Sequence, residues 1–143
     1  MKPALLATMC IVALSACSSS YGDGPGPTVV GTYSLVTVNG AAVPATTQND
    51  ATIKTEILSG TFVVNADETF SESRQGRITL GGGTPSLITA TQTGTWTSSG
   101  TQLSFVSGTT QNPVIFTGTY VSGTLTYTSA GSTFVYQQQS ASY

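Results

Sequence analysis

The sequence contains no histidine, and only 4 of its 143 residues are lysine or arginine. Without histidine, Ser-His-Asp and Cys-His catalytic arrangements and histidine-based zinc sites are excluded. With so few cations and a formal net charge of −2, the chain has no basic face for a phosphate backbone, so we expect no nucleic-acid partner. We therefore expect a protein that is not an enzyme and that uses neither a metal nor another cofactor.

The chain has only two cysteines, and we expect no disulfide from them. Cys10 lies in an apolar run from Ala4 to Leu14, which follows the positive charge of Lys2. This pattern is typical of a secretory signal peptide, because the run is too short to cross the roughly 30 Å core of a bilayer as a helix. A domain without a disulfide must then be stabilised by its packed core.

The apolar run ends at residues 14–17, Leu-Ser-Ala-Cys, which resemble the lipobox of bacterial lipoproteins. The resemblance implies that residues 1–16 are removed and that Cys17 becomes an N-terminus carrying three acyl chains, with the membrane as its partner. By the same analogy, Ser18 in place of aspartate implies the outer membrane of the bacterial cell envelope. The alternative is an ordinary signal peptide with an incidental cysteine.

Residues 17–28 are rich in serine, glycine and proline and show no apolar periodicity. Such a segment cannot bury a core and is typical of a flexible tether, here with a mean reach of about 20 Å. The chain therefore divides into a signal peptide at residues 1–16, a lipidated cysteine with its tether at residues 17–28, and a folded domain at residues 29–143.

The folded domain is predicted to be all-β. Threonine, serine and glycine number 26, 18 and 16 in the chain, and apolar residues alternate with polar ones from Val29 onward. Eight strands are predicted at residues 31–38, 52–64, 68–80, 86–97, 102–107, 114–121, 123–129 and 132–138. The short turns between them favour sequential antiparallel pairing, and an eight-stranded up-and-down barrel would leave no exposed edge.

The alternation places one apolar set inside the barrel and mostly threonine, serine and glutamine outside, the reverse of a membrane-spanning barrel. The predicted inward residues are Tyr33, Leu35, Phe62, Val64, Phe70, Ile78, Leu80, Ile88, Trp96, Leu103, Phe105, Phe116, Tyr120, Leu125, Tyr127, Phe134 and Tyr136. Gly-Thr pairs recur before large side chains at Gly31, Gly60, Gly94, Gly118 and Gly123. Either these glycines make room for bulky neighbours and strand bends, or the pairs only reflect composition.

Three stretches in order resemble the small lipocalin-like, calycin-type domains of bacterial lipoproteins. They are residues 31–40 with Val43-Pro44, residues 60–70, and Gly94-Thr95-Trp96 leading to Leu103 and Phe105. Glu68 stands where the family usually has glycine, so its turn is expected to be wider. The resemblance implies an antiparallel barrel and, for some members, an apolar ligand. It brings no catalytic residues.

Two groups of residues are candidates for ligand binding. The first is the aromatic set Tyr33, Phe62, Phe70, Trp96, Phe105, Phe116, Tyr120, Tyr127 and Tyr136, which either fills the core, as we favour, or lines a ligand cavity near Trp96. The second is Glu72 with Arg74. Strict alternation turns both into the barrel, where they could bind a polar headgroup. A bulge before Gly76, which we favour, would leave both in water.

Three functions follow from these candidates. The first is a lipid-anchored, non-enzymatic binding module for a small apolar ligand. The second is a structural or interaction protein of the envelope with a filled barrel, whose protein partner the sequence does not identify. The weakest is a hydrolase using Asp67 with Glu68 or Asp50 with Glu56, because carboxylates in turns and loops are usually solvated and ionised.

Overall fold

The structure, a computed structural model, describes residues 28–140, which form ten strands and no helix. The strands are β1 (Gly31–Val38), β2 (Ala41–Ala42), β3 (Ala45–Asn49), β4 (Ile53–Val64), β5 (Thr69–Leu80), β6 (Ser86–Ser99), β7 (Gln102–Thr109), β8 (Asn112–Val121), β9 (Thr124–Ser129) and β10 (Ser132–Gln138). The predicted signal peptide, the lipidated Cys17 and all of the tether before Thr28 lie outside the described residues. Within residues 28–140, no helix is long and apolar enough to cross a membrane.

Eight of the ten strands form a closed ring. An antiparallel ladder runs in chain order from β4 to β10, β10 pairs with β1, and β1 pairs back onto β4. Tyr33 of β1 lies opposite Phe62 on one side and Gln138 on the other. The predicted eight-stranded antiparallel barrel is confirmed, and the ring and its core are complete within the described residues.

The two strands that the sequence analysis missed, β2 and β3, lie in the connection between β1 and β4. β2 turns back onto the end of β1 after Asn39 and Gly40, which adopt φ angles of 52° and 81°. β3 pairs with the beginning of β4, and of its five residues only Ala45 is buried. Both strands are short and lack a regular apolar alternation, so no period-two signal marks them.

Large side chains fill the barrel interior, and one end of the barrel is closed. Fifteen apolar residues are buried there, including most of the predicted inward set. Where β1 begins, Val29 and Val30 pack against this core, and the Tyr33 hydroxyl donates a hydrogen bond to the Val29 carbonyl. We call this the closed end.

At the opposite end, here the open end, several strands run past the ring. β6 pairs with β7 only from Gly94 to Ser99, so residues 86–93 pair with β5 alone. β3 takes the place of β1 beside the first residues of β4. The result is a four-stranded sheet that projects from the ring. This extension sheet consists of β3, residues 53–57 of β4, residues 71–80 of β5 and residues 86–93 of β6.

The extension sheet explains where the predicted core was wrong. Ile78, Leu80 and Ile88 keep the inward phase of their strands, but Ile78 is only half-buried, Leu80 is 64% exposed and Ile88 is 40% exposed. The alternation of inward and outward side chains continues along each strand. These residues are nevertheless exposed, because they lie beyond the part of the barrel that the opposite strands cover. Tyr120, also predicted inward, is half-buried at the closed end.

Four of the five repeated glycines make room for neighbours as predicted. A methyl group at Gly31 would lie 2.6 Å from the side-chain nitrogen of Gln138. A methyl group at Gly94 would lie 1.9 Å from the Val106 carbonyl oxygen, one at Gly118 would lie 2.7 Å from the Thr126 carbonyl oxygen, and one at Gly60 would lie 3.0 Å from the Tyr136 hydroxyl. Gly123 instead lies in the turn before β9, with a φ of 82°. Close packing therefore accounts for four of the pairs and turn geometry for the fifth.

Replacing Gly94 with alanine is expected to lower the free energy of unfolding by about 3 kcal/mol or more, because the new methyl group overlaps the β7 backbone. Gly82→Ala is the matched control, since Gly82 has nothing within 4 Å of the added methyl and a φ of 73°. That variant should cost only about 1–2 kcal/mol of backbone strain. Chemical denaturation followed by Trp96 fluorescence measures both. Equal losses would contradict the close approach at Gly94.

Candidate functional site

A carboxylate lies inside the barrel, in its half nearer the open end. Glu72 follows Phe70 in the alternation of β5, lies opposite Phe62 and Gln92 on the adjacent strands, and is 3% exposed. The favoured interpretation, that a bulge in this strand leaves Glu72 in water, was wrong. The irregularity lies on the partner strand, between Ile57 and Ser59, so β5 keeps its phase.

Each oxygen of the Glu72 carboxylate has a partner. Oε1 accepts hydrogen bonds from the hydroxyls of Tyr127 and Tyr136, and the Arg74 Nε lies 3.2 Å away. Oε2 accepts a hydrogen bond from the side-chain amide of Gln92. A buried carboxylate is tolerated only when its charge is countered and its lone pairs are used, and this arrangement meets both conditions.

The two tyrosines are held as neutral donors. Burial, followed by the adjacent negative charge of Glu72, raises the pKa of Tyr127 and of Tyr136 well above the usual value near 10. Both hydroxyls therefore stay protonated at neutral pH. Their protons remain available to the carboxylate oxygen, which fixes the orientation of the Glu72 side chain.

Arg74 is the member of this cluster that reaches the open end. Its side chain is 23% exposed, while that of Glu72 is 1% exposed. The guanidinium carbon lies 4.4 Å from the centre of the Phe134 ring, a distance suited to a cation–π contact. The Nε is buried near Glu72 without a well-aligned hydrogen bond. Charge attraction and ring stacking together therefore set the direction of the guanidinium.

Gly60 provides the space that Arg74 occupies. It lies directly opposite Arg74 in the pairing of β4 with β5. A methyl group at Gly60 would lie 3.1 Å from the Leu35 Cβ and 3.2 Å from the Arg74 Cγ. A larger residue at Gly60 would displace the arginine stem, so this glycine acts on the site by packing.

A cavity of about 180 Å³ opens beside Arg74 at the base of the extension sheet. Its lining comes from β3, β4, β5 and β6 and consists of Thr47, Thr55, Glu56, Ile57, Arg74, Gln75, Gly76, Ile88 and Ala90. The wall surface is mostly apolar and carries one cation, Arg74, at its inner boundary. It also carries one carboxylate, Glu56, whose charge is countered by ion pairs with Lys54 and Arg77. This combination suits a small molecule that has an apolar body and an anionic group.

The aromatic candidates lie elsewhere, in the packed interior. Phe62, Phe70, Phe105, Phe116, Tyr127 and Tyr136 form a continuous set of ring contacts, with centroids 5.0–6.1 Å apart. At the closed end, Tyr33 meets Tyr120 edge to face at 6.2 Å, and Trp96 donates its indole N–H to the Asn65 carbonyl at 3.0 Å. Of the residues predicted to bind a ligand, Arg74 is the one that lines the cavity at the open end of the described barrel, and the aromatic residues do not line it.

The carboxylates considered for hydrolysis have structural partners. Hydrogen bonds from Thr69 lower the pKa of Asp67, and hydrogen bonds from Gln48, Ile53 and Thr52 lower the pKa of Asp50. Arg77 and Lys54 lower the pKa of Glu56. Hydrogen bonds and cations of this kind favour the ionised form, whereas a general acid needs a raised pKa. Glu68 lies in the turn before β5, with a φ of 65°.

Sequence analysis missed three residues that build the site. Gln92 could have been found by extending the alternation backwards from Trp96 along β6, because both side chains share a face. Phe134 was assigned to the core, but its stacking under Arg74 depends on how the barrel closes. Ile57 lies beyond the bulge in β4, which strict alternation cannot locate.

Comparison with models of protein families, with curated proteins and with solved structures finds no match to this chain. Within residues 28–140, no group of three or more cysteine, aspartate or glutamate side chains could hold a metal ion. The function therefore has to be argued from the geometry of the Glu72–Arg74 cluster and the cavity next to it.

Replacing Glu72 with glutamine is expected to lower the free energy of unfolding by about 2 kcal/mol or more, because Arg74 loses its counter-charge and two tyrosines lose a charged acceptor. Glu56→Gln is the matched control, since Glu56 forms ion pairs with Lys54 and Arg77 near solvent. Its denaturation midpoint should hardly change. Urea denaturation measures both variants. A Glu72→Gln protein as stable as the parent would contradict a buried, charged cluster.

Proposed function

We propose that this chain is a lipid-anchored protein of the bacterial cell envelope whose barrel binds a small anionic amphiphile at its open end. The observation that carries the proposal is the position of Arg74, which is held from within by Glu72 and borders an apolar cavity. The closed antiparallel ring supports the lipocalin-like resemblance at the level of architecture.

The guanidinium is suited to an anionic headgroup. Planar guanidinium groups bind carboxylates and phosphates through paired N–H donors, and orientation by other groups lowers the cost of binding. Glu72 and the Phe134 ring occupy the Nε side and one face of the Arg74 guanidinium. Among the described residues, no hydrogen bond from the terminal Arg74 nitrogens is found, so these donors are available to a ligand at the open end.

The extension sheet supplies a surface for an apolar tail. Ile57, Ile88 and Ala90 line the cavity, and the exposed Leu80 continues the same sheet face outwards. A short aliphatic chain bound to Arg74 by its head could lie along this face. Burial of each methylene would contribute about 0.8 kcal/mol at most.

The second candidate, a structural protein without a small-molecule ligand, is favoured by a different observation. The barrel interior between the Glu72 cluster and the closed end is filled by stacked aromatic side chains. This packing leaves no room for a ligand deep in the described barrel, so a ligand could bind only at the open end. A measurement of binding at the open end therefore separates the two candidates.

Octanoate is expected to bind residues 28–143 at least about tenfold more tightly than octanol, because only the carboxylate can use the Arg74 donors. Ligand-observed NMR titration measures both. Arg74→Gln should abolish the preference, while Arg74→Lys should keep part of it through charge alone. Ile88→Ser is the matched control and should weaken both ligands equally. Absence of octanoate binding would favour the structural candidate.

Membrane attachment forms the other part of the proposal. The lipobox-like residues 14–17 support it, and the described chain begins at Thr28 beside the closed end. An anchor at Cys17 would therefore join the barrel at the end opposite the cavity. The open end would remain free to exchange ligand with the surrounding solution.

The full chain, expressed in a bacterium with a lipoprotein pathway, is expected to fractionate with the outer membrane and to carry acyl mass on Cys17. Cys17→Ser should accumulate as an unlipidated precursor. Cys10→Ser is the matched control and should not change lipidation, since Cys10 lies in the removed segment. Intact-mass spectrometry of membrane and soluble fractions measures the outcome. Unmodified Cys17 in the parent protein would refute the anchor.

A further inference from the structure

One strand of the extension sheet has an unpaired edge. Residues 86–93 of β6 pair with β5 on one side, whereas pairing with β7 begins only at Gly94 and Ser107. The next residue of β7, Gly108, has a φ of 87° at the point where β7 leaves the ladder. Residues 86–91 are all exposed, and Leu87 is 78% exposed. Among the described strands, none covers this edge.

The alternation of the ladder shows which backbone groups face outwards. The Trp96 N–H donates to the Glu68 carbonyl on the β5 side at 2.8 Å. Backbone groups of successive residues point to opposite sides of a strand, so the odd-numbered residues present theirs to the other side. Thr93 lies beside Gly108, because the pair of Gly94 with Ser107 brings β7 to this point of the edge. The unpaired residues nearer the start of β6 are therefore Leu87, Thr89 and Thr91, and each has one free N–H and one free carbonyl.

This edge lacks the features that usually prevent strand pairing. Residues 86–93 contain no charged residue and no proline, and the pairing with β5 shows no bulge. The other edge of the extension sheet, β3, is five residues long and has an irregularity between Thr46 and Gln48. Only the β6 edge is long and regular enough to accept another strand.

We propose that this edge pairs antiparallel with the same edge of a second copy of the chain. A two-fold axis at Thr89 places Thr89 opposite its own copy and Leu87 opposite Thr91 of the second copy. All three unpaired residues of each chain are then used, giving about six hydrogen bonds. The two extension sheets become one continuous sheet across the axis.

The side chains fit this register. On one face, Thr89 lies opposite Thr89 of the second copy, a pair that favours antiparallel strands. On the other face, Ala90 lies opposite Ile88 of the second copy at a non-hydrogen-bonded position, where strands approach most closely and a small side chain leaves room for a larger one. The edge carries no charge that would select a different partner or repel a second copy. These features favour self-pairing over the addition of a foreign strand.

The termini of the same chain do not fit this edge. Residue 28 precedes β1 at the closed end, and residue 140 follows β10 at that end as well. Residues 17–28 include Pro25 and Pro27, which have no N–H to donate to a ladder.

Disulfide trapping tests the register directly, because residues 28–143 contain no cysteine. In Thr89→Cys, the two introduced cysteines would lie about 5.5 Å apart at Cα, within disulfide reach. The matched control is Ser86→Cys, also exposed on β6, whose copies would lie roughly 20 Å apart. Mild oxidation followed by non-reducing electrophoresis should yield dimer from Thr89→Cys and little from Ser86→Cys. Trp96 emission verifies that both variants are folded.

Sedimentation equilibrium of the cysteine-free protein provides the second measurement. Thr91→Pro removes an edge N–H and should weaken the dimer about tenfold or more, whereas Thr91→Ala keeps this N–H and should not. A protein that stays monomeric up to about 1 mM would overturn the proposal. So would equal cross-linking of both cysteine variants. Capture of a peptide matching residues 86–93 by a protein that does not self-associate would assign the edge to a foreign strand and would also overturn it.

Discussion

The barrel depends on one buried charge and its partners. Glu72 on β5 receives hydrogen bonds from β6, β9 and β10, so a single carboxylate connects four of the eight strands across the interior. Apolar contacts have no preferred direction, whereas a buried carboxylate is tolerated only with its donors in place. The cluster therefore fixes how the two sides of the barrel face each other, and it also orients Arg74 towards the cavity.

Much of the fold could be predicted because its signal is local. Strand bounds in the ring differ from the predicted ones by no more than two residues, since alternation and turn residues mark each strand separately. The site was harder to predict. Whether Glu72 faces inwards depends on the position of a bulge, and the irregularity lies near Leu58 on the neighbouring strand. Partners such as Tyr127 and Tyr136 meet Glu72 only once the ring closes, which no single window of sequence encodes.

The extension sheet links the proposed ligand site to the proposed dimer. Ala90 lines the cavity through its side chain, and the backbone of its neighbours Thr89 and Thr91 forms the unpaired edge. Ligand and second copy would therefore contact the same strand on different sides. Both features exist because β4, β5 and β6 are longer than the strands that close the ring.

The position of β1 has a consequence for the mechanics of an anchored protein. The chain enters the barrel at Thr28, and β1 is hydrogen-bonded to β10 on one side and to β4 on the other. Tension transmitted from a membrane attachment along this strand would load two antiparallel ladders in shear at the same time. Many hydrogen bonds must then yield together before the first strand can be extracted, so the proposed anchor would pull on the domain at a point that resists extraction.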